Sequence, residues 1–162
     1  MVAKSAPVRF VPDGYHVLTT SLYIDGAARA LDFYGAAFGA IELFRLPMGD
    51  KIGHAEMQIG DTRFMLADEF PDMNILGPAR RGGPTAGFML YVEDVDAAFA
   101  KAVQAGAKVE RALEDQFYGD RTGTVIDPFG HSWTLATHIE DVSPEEMERR
   151  MAQSDGRNDD LL

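Results

Sequence analysis

Residues Glu114–His138 read EDQFYGDRTGTVIDPFGHSWTLATH, an order that predicts a loop, a strand, a tight turn and a second strand. In Asp127-Pro128-Phe129-Gly130 the Pro128 ring presets φ at the second turn position and Gly130 closes the turn. Thr122, Thr124, Val125 and Ile126 before the turn suit a pleated strand, as do Trp133, Thr134, Leu135 and Thr137 after it. The same stretch gathers Asp115, Gln116, Tyr118, Asp120, Arg121, His131, the single tryptophan and His138 around one rigid turn.

Working outward, this stretch has an earlier counterpart. Arg63-Phe64-Met65-Leu66-Ala67 matches Ser132-Trp133-Thr134-Leu135-Ala136 at an offset of 69 (133 minus 64), and Tyr23-Ile24-Asp25 matches Tyr91-Val92-Glu93 at 68 (91 minus 23). Two offsets that agree this closely across a whole segment indicate a tandem repeat. In module one (15–68), Tyr15–Ile24 reads as a strand. Ala27–Phe38 reads as a helix with Leu31, Tyr34 and Phe38 on one side, stopped by Gly39. Strands at 41–46 and 54–59 follow, joined by a turn-rich connection over 47–52, and Gly60-Asp61 turns the chain into a strand at 62–67. Module two (85–138) repeats the order with a helix over Asp94–Ala105, a strand at 108–112 and the hairpin. Outside the modules lie an N-terminal arm (1–14) and a linker loop (69–84) with three prolines and three glycines. A C-terminal helix (143–152) is expected from Ser143 as N-cap, Pro144 in the first turn and Glu146 completing a capping box. A polar tail (153–162) is expected to be flexible.

Composition narrows the function. With 162 residues and no cysteine, the chain is long enough for a single domain with a good core. It has no disulfides, cysteine-zinc sites or thiol nucleophiles. A net charge of −11 opposes nucleic-acid binding, since the phosphates would be repelled. No apolar run approaches the ~20 residues of a membrane span, and the first 14 residues lack the apolar core of a secretory signal. The expectation is a cytoplasmic protein with a small-molecule partner.

The phrases ALDFYGAAFGAIELFRLP, GHAEMQIGDTRFMLADEFP, LYVEDVDAAFAKAVQAGAKV and DQFYGDRTGTVIDPFGHSWTLATHIEDVSPEE resemble the vicinal oxygen chelate superfamily of glyoxalase I, bleomycin-resistance proteins and extradiol dioxygenases. More narrowly they resemble its uncharacterised PhnB-like group. The likeness covers about 15–148 and implies an α+β fold, with two β-α-β-β-β modules forming an eight-stranded open barrel around a pocket, in a homodimer. Metal-dependent members take four His or Glu ligands from the first and last strands of each module. That pattern falls here on Thr19, Met65, Gly87 and Thr134. Two hydroxyls, a thioether and a glycine do not replace the imidazole and carboxylate donors a divalent ion requires, and neighbouring positions offer no better set. No metal or other cofactor is therefore expected. A non-standard site from His54, Glu56 and His138 is disfavoured because two convergent ligands are far commoner than a complete set.

The resemblance also implies which side of each strand faces the pocket. Val17, Thr19, Ser21 and Tyr23 look inward, as do Arg63, Met65 and Ala67, then Gly87, Met89 and Tyr91, then Ser132, Thr134 and His138. The opposite parity is apolar, as packing on helices requires. On the alternating strand, Ala55, Met57 and Ile59 pack on a helix and send His54, Glu56 and Gln58 into the pocket. Candidate ligand-binding residues are Thr19, Ser21, Tyr23, Gln58, Arg63, Met65, Met89, Tyr91, Tyr118, Arg121, Thr134 and His138. His54 and Glu56 share a strand face and are the candidate acid–base pair, with a hydrogen-bonded cavity wall as the plainer reading. Arg121 either binds an anionic ligand group or fixes the 114–123 loop by a salt bridge. Trp133 reads as core, His131 as structural or surface, and His16 as core or edge. Two functions stay open. One is metal-free binding of a small, partly aromatic or cationic compound. The other is an isomerase, lyase or similar enzyme using His54 and Glu56, with His138 or Arg121 assisting.

Overall fold

Two modules follow one another in the computed structural model, which describes residues 8–158. The chain divides after Gly77. The first module holds β1 (Ser21–Ile24), α1 (Ala27–Phe38), β2 (Ile41–Met48), β3 (Lys51–Ile59) and β4 (Thr62–Asp68), its sheet ordered β1-β4-β3-β2. After a short helix α2 (Pro78–Arg81), the second holds β5 (Gly87–Tyr91), α3 (Val95–Gln104), β6 (Lys108–Asp115), β7 (Asp120–Ile126) and β8 (Ser132–His138), ordered β5-β8-β7-β6. In each sheet the first strand runs parallel to the last and the other pairings are antiparallel. The fold class is α+β, two four-stranded mixed sheets with helices. Among the described residues no helix is long and apolar enough to cross a membrane.

Each sheet buries one face. In the first, Leu22, Ile24, Ala55, Met57, Phe64 and Leu66 are buried together with Ala27, Ala30, Leu31, Tyr34 and Ala37 of α1, and the Tyr34 and Phe64 rings meet edge to face at 5.9 Å. In the second, Val125, Trp133 and Leu135 are buried, as are Val95, Phe99 and Ala102 of α3. Every large apolar side chain moved from water into such a layer stabilises the module by roughly 1.5–3 kcal/mol.

The helices end as the residue types require. Gly39, in the left-handed region at φ 69°, closes α1, while its own N–H and that of Ala40 donate to the carbonyls of Gly35 and Tyr34. The α3 N-cap is Asp94, whose carboxylate accepts from Ala97 N at 3.0 Å. The start of α1 has no such local cap. Gly26 and Ala27 donate to Asp68 Oδ1 at 3.0 and 2.9 Å, and Ile52 N donates to Asp68 Oδ2 at 2.6 Å. In the second module Thr137, 69 residues later (137 minus 68), has the same task. Its hydroxyl accepts from Val95 N and donates to Val92 O.

Several expectations need correcting. The first strand begins at Ser21, not Tyr15, because the last ladder contact upstream of it is Met65 N to Thr20 O. Val17 and Leu18, 86% and 90% exposed, therefore belong to no buried or inward-facing strand, and His16 is exposed. The 47–52 connection shrinks to a hairpin over Gly49-Asp50. Residues 69–84 carry a 3₁₀ turn (Pro71–Met73) and α2, and are held by Glu69, whose Oε1 accepts from Gly77 N and whose carbonyl accepts from Lys51 Nζ. The C-terminal helix, α4 (Pro144–Asn158), runs past residue 152. The flexible tail was expected from 153, so it overlaps this helix to 158, and 159–162 lie outside the described residues. Ser143 Oγ accepts from Glu146 N as a cap, but the Glu146 carboxylate bonds Arg149 and Arg150 instead of closing the box.

Candidate functional site

The hairpin is built around Asp127. Gly130 N donates to Asp127 O and Asp127 N to His131 O. The Asp127 carboxylate accepts from Phe129 N, His131 N and Trp133 Nε1 at 2.9, 2.9 and 3.0 Å. Trp133 is core and His131 is buried, with Phe88 beside its ring at 6.1 Å between centroids. This turn sets the β7–β8 register, which pairs Asp120 with His138, Thr122 with Ala136 and Thr124 with Thr134.

Because side chains alternate along a strand, that register writes a grid on the sheet face turned away from α3. One row runs Met89, Thr134, Thr124, Arg111, and the next Tyr91, Ala136, Thr122, Glu114. The Thr124 and Thr134 hydroxyls bond at 2.9 Å. Over these rows lies a cavity of about 620 Å³, walled also by Gln116 and Tyr118 from the β6–β7 loop. Of the expected ligand-binding residues, Met89, Tyr118 and Thr134 line it.

Tyr91 and His138 stand at the end of this face, around Asp120, one of the groups gathered by the hairpin stretch. The Asp120 side chain is only 6% exposed. It accepts from Tyr91 Oη at 2.8 Å and meets His138 Nδ1 at 2.6 Å, while His138 Nε2 meets Asp141 Oδ1 at 3.0 Å. Asp120, then Asp141, hold the His138 imidazole above its ordinary range. A raised folded-state pKa means that this contribution to stability is complete below ~6.5, the unperturbed imidazole value, and is lost as pH rises through the folded pKa. In an NMR titration His138 is expected to titrate above that value in the native protein and to move down in Asp120→Asn. A midpoint unchanged by the substitution would refute Asp120 as the cause.

Arg121 is not at the cavity. With Gly123 and Val125 it projects towards α3, where it makes a two-bond contact with Asp96 at 2.9 Å each and a third bond to Asp115 at 2.8 Å. The loop-fixing salt bridge describes it.

In the first module the same repeat positions carry other chemistry. Glu56 and His54 stand 68 residues before Thr124 and Thr122, and Glu56 pairs with Met65, which pairs with Ser21. His54 Nε2 and Glu56 Oε1 approach to 3.3 Å. The Tyr15 hydroxyl is shielded from solvent and lies towards the Glu56 carboxylate. Burial, then the Glu56 carboxylate, pushes the Tyr15 phenol up to about 12. Tyr15, then His54, hold Glu56 below the usual carboxylate range. Arg63 stacks on the Tyr15 ring at 5.4 Å and donates to Asp13 O at 2.9 Å and Gln58 Oε1 at 3.3 Å. Thr19 lies before β1, its hydroxyl donating to His16 O, and Tyr23 is exposed on β1. An imidazole beside a carboxylate is a competent acid–base pair.

The metal-ligand positions of the resemblance do not fit a metal. Thr19 is off the strand, Gly87 has no side chain, Met65 offers only a thioether, and the Thr134 hydroxyl is bonded to Thr124. Among the described residues no three His, Cys, Asp or Glu side chains converge as a ligand set.

Comparison with known proteins gives a consistent set of relatives. The sequence profile described as Glyoxalase/Bleomycin resistance protein/Dioxygenase superfamily matches residues 16–135. An uncharacterised protein of Mycobacterium tuberculosis is 44% identical over 144 residues, 86% of this chain and 85% of the relative. The crystal structure of an Arabidopsis thaliana gene product, 30% identical, superposes with a TM-score of 0.62 over 75% of this chain and 98% of that one. A Bacillus cereus PhnB protein, at 20% identity and a TM-score of 0.61 over 75% of this chain and 99% of its own, shares the fold.

Proposed function

Because the chain belongs to the glyoxalase/bleomycin resistance/dioxygenase superfamily, a fold that hosts many chemistries, we propose a function from its own side chains: it binds a small organic molecule, without a metal ion, on the helix-free face of the second module. The observation that carries this is the cavity of about 620 Å³ over Met89, Thr134 and Tyr118, within the ~300–1,000 Å³ usual for ligand sites. Its walls set a thioether and an aromatic ring among hydroxyls, an amide and the charged Arg111 and Glu114, a lining that suits a polar organic molecule with an apolar part. The donor chemistry at Thr19, Met65, Gly87 and Thr134 supports the metal-free part of the proposal.

The test is a thermal-shift screen of small aromatic and charged metabolites against the native protein and Met89→Trp. Met89 is half-exposed on β5, so a larger ring there occupies cavity space while disturbing little of the core. Hits are expected to raise Tm in the native protein and to lose most of that shift in the variant. Hits that stabilise both proteins equally would place binding elsewhere. Turnover of a hit, abolished in His54→Ala while affinity is kept, would replace the binding reading by the acid–base one.

A further inference from the structure

Arg111 and Glu114 stand three apart on β6, a spacing that sends side chains to opposite faces of a regular strand. Here the register slips between them, so that Arg111 pairs with Thr124 and Glu114 with Thr122. Thr122 and Thr124 share a face, and the bulge therefore brings both charged residues to the same cavity. Neither side chain makes a hydrogen bond or ion pair among the described residues, although Arg121, Arg149 and Arg150 of the same module are each tied to carboxylates. In a chain with 26 acidic and 15 basic residues, a guanidinium left without a carboxylate beside a carboxylate left without a cation is a paired vacancy of charge.

From this juxtaposition we infer that the ligand of the second-module cavity is a zwitterion. Its carboxylate meets Arg111, its ammonium meets Glu114, and an apolar or aromatic body lies between them against Met89 and Tyr118. The inference rests on the binding function proposed above. A guanidinium holds a carboxylate through paired N–H donors, and an ammonium beside Glu114 can also use the Tyr118 ring face. Because the bulge sets them opposite Thr124 and Thr122, two residues apart on β7, the two anchors are separated along the sheet by two steps of ~3.3 Å, or ~7 Å. The ligand's opposite charges are thus spaced as at the ends of a short peptide, closer to a dipeptide's ~7 Å reach than to the adjacent charges of one α-amino acid.

The test uses one dipeptide in four charge states: glycyl-phenylalanine, its N-acetyl form, its C-terminal amide, and the form blocked at both ends. Calorimetric titration is run against the native protein, Arg111→Gln, Glu114→Gln and Met89→Trp. Both charged positions are exposed on β6, so neither glutamine disturbs the core. The native protein is expected to prefer the free dipeptide at least tenfold over either singly blocked form. Arg111→Gln should erase the preference over the amide, and Glu114→Gln the preference over the N-acetyl form. Equal affinity for all four forms, lost in Met89→Trp, would overturn the zwitterion inference and leave the cavity standing. Absence of binding for all four forms would overturn the zwitterion inference alone, and binding unaffected by Met89→Trp would place the site outside this cavity and overturn both.

Discussion

Replacing Asp68 by alanine is expected to destabilise the first module by about 3–5 kcal/mol, read as a fall in the urea midpoint of far-UV circular dichroism. One carboxylate serves three backbone donors: Gly26 and Ala27 at the start of α1 and Ile52 at the start of β3. Ala27 and Ile52 are buried, so water replaces the lost acceptor poorly. Each charge-assisted bond contributes ~1.5–3 kcal/mol and an orphaned buried donor costs ~1–3 kcal/mol; the total is below the simple sum because Gly26 can be rehydrated. The negative charge also lies at the N-terminal end of the α1 dipole. Asp68→Asn keeps the oxygen facing Gly26 and Ala27 but turns an N–H₂ towards the Ile52 donor, and should recover about half of the loss. A change below about 1 kcal/mol in Asp68→Ala would show that these bonds do not hold α1 to its sheet.

Asp68 also shows where sequence reading stops. The β7–β8 hairpin is legible because an Asp-Pro-Phe-Gly turn and its flanking strand formers act on neighbouring residues. The second module is legible because it echoes the first, and the buried faces follow from parity at Leu22, Ile24, Phe64, Leu66, Trp133 and Leu135. Asp68 reaches Gly26 across 42 residues, and no local propensity announces that bond. The repeat offset supplied a usable signal, since it aligns Asp68 with Thr137, which serves the other helix. Arg121 was readable by the same parity that places Gly123 and Val125 against α3. Arg111 and Glu114 were not, because a bulge cancels the alternation on which parity depends. The 15–20 segment has strand-forming residues yet starts no strand until it finds β4 to pair with, a tertiary condition that propensity does not contain.

Substituting Gly119 by alanine is expected to cost the second module about 3–5 kcal/mol and to loosen the cavity wall with it. Gly119 sits at φ +96°, where an L side chain is strained by ~1–3 kcal/mol. A Cβ there would lie 2.0 Å from the Glu140 carbonyl oxygen and 3.0 Å from Val142 Cγ2. Glu140 cannot simply retreat. Its N–H and that of Ile139 both donate to Gly119 O at 2.9 Å, and its carboxylate is held by Arg150, which also donates to Phe117 O. Relieving the clash therefore breaks at least two backbone bonds of ~0.5–1.5 kcal/mol each. Gln116 and Tyr118, which wall the cavity, are carried on the same turn, closed by Gly119 N to Gln116 O. Gly60→Ala is the control: φ is +55° with nothing within 4 Å of the added carbon, so strain acts alone at ~1–2 kcal/mol. Far-UV circular dichroism during urea unfolding reads both variants, and the fluorescence of Trp133, the single tryptophan and a second-module residue, shows that the Gly119 effect arises there. If Gly119→Ala lost no more than Gly60→Ala, contact with Glu140 would not govern this turn. A loss several-fold larger, together with weaker binding of any cavity ligand, would tie the turn's geometry to the site it supports.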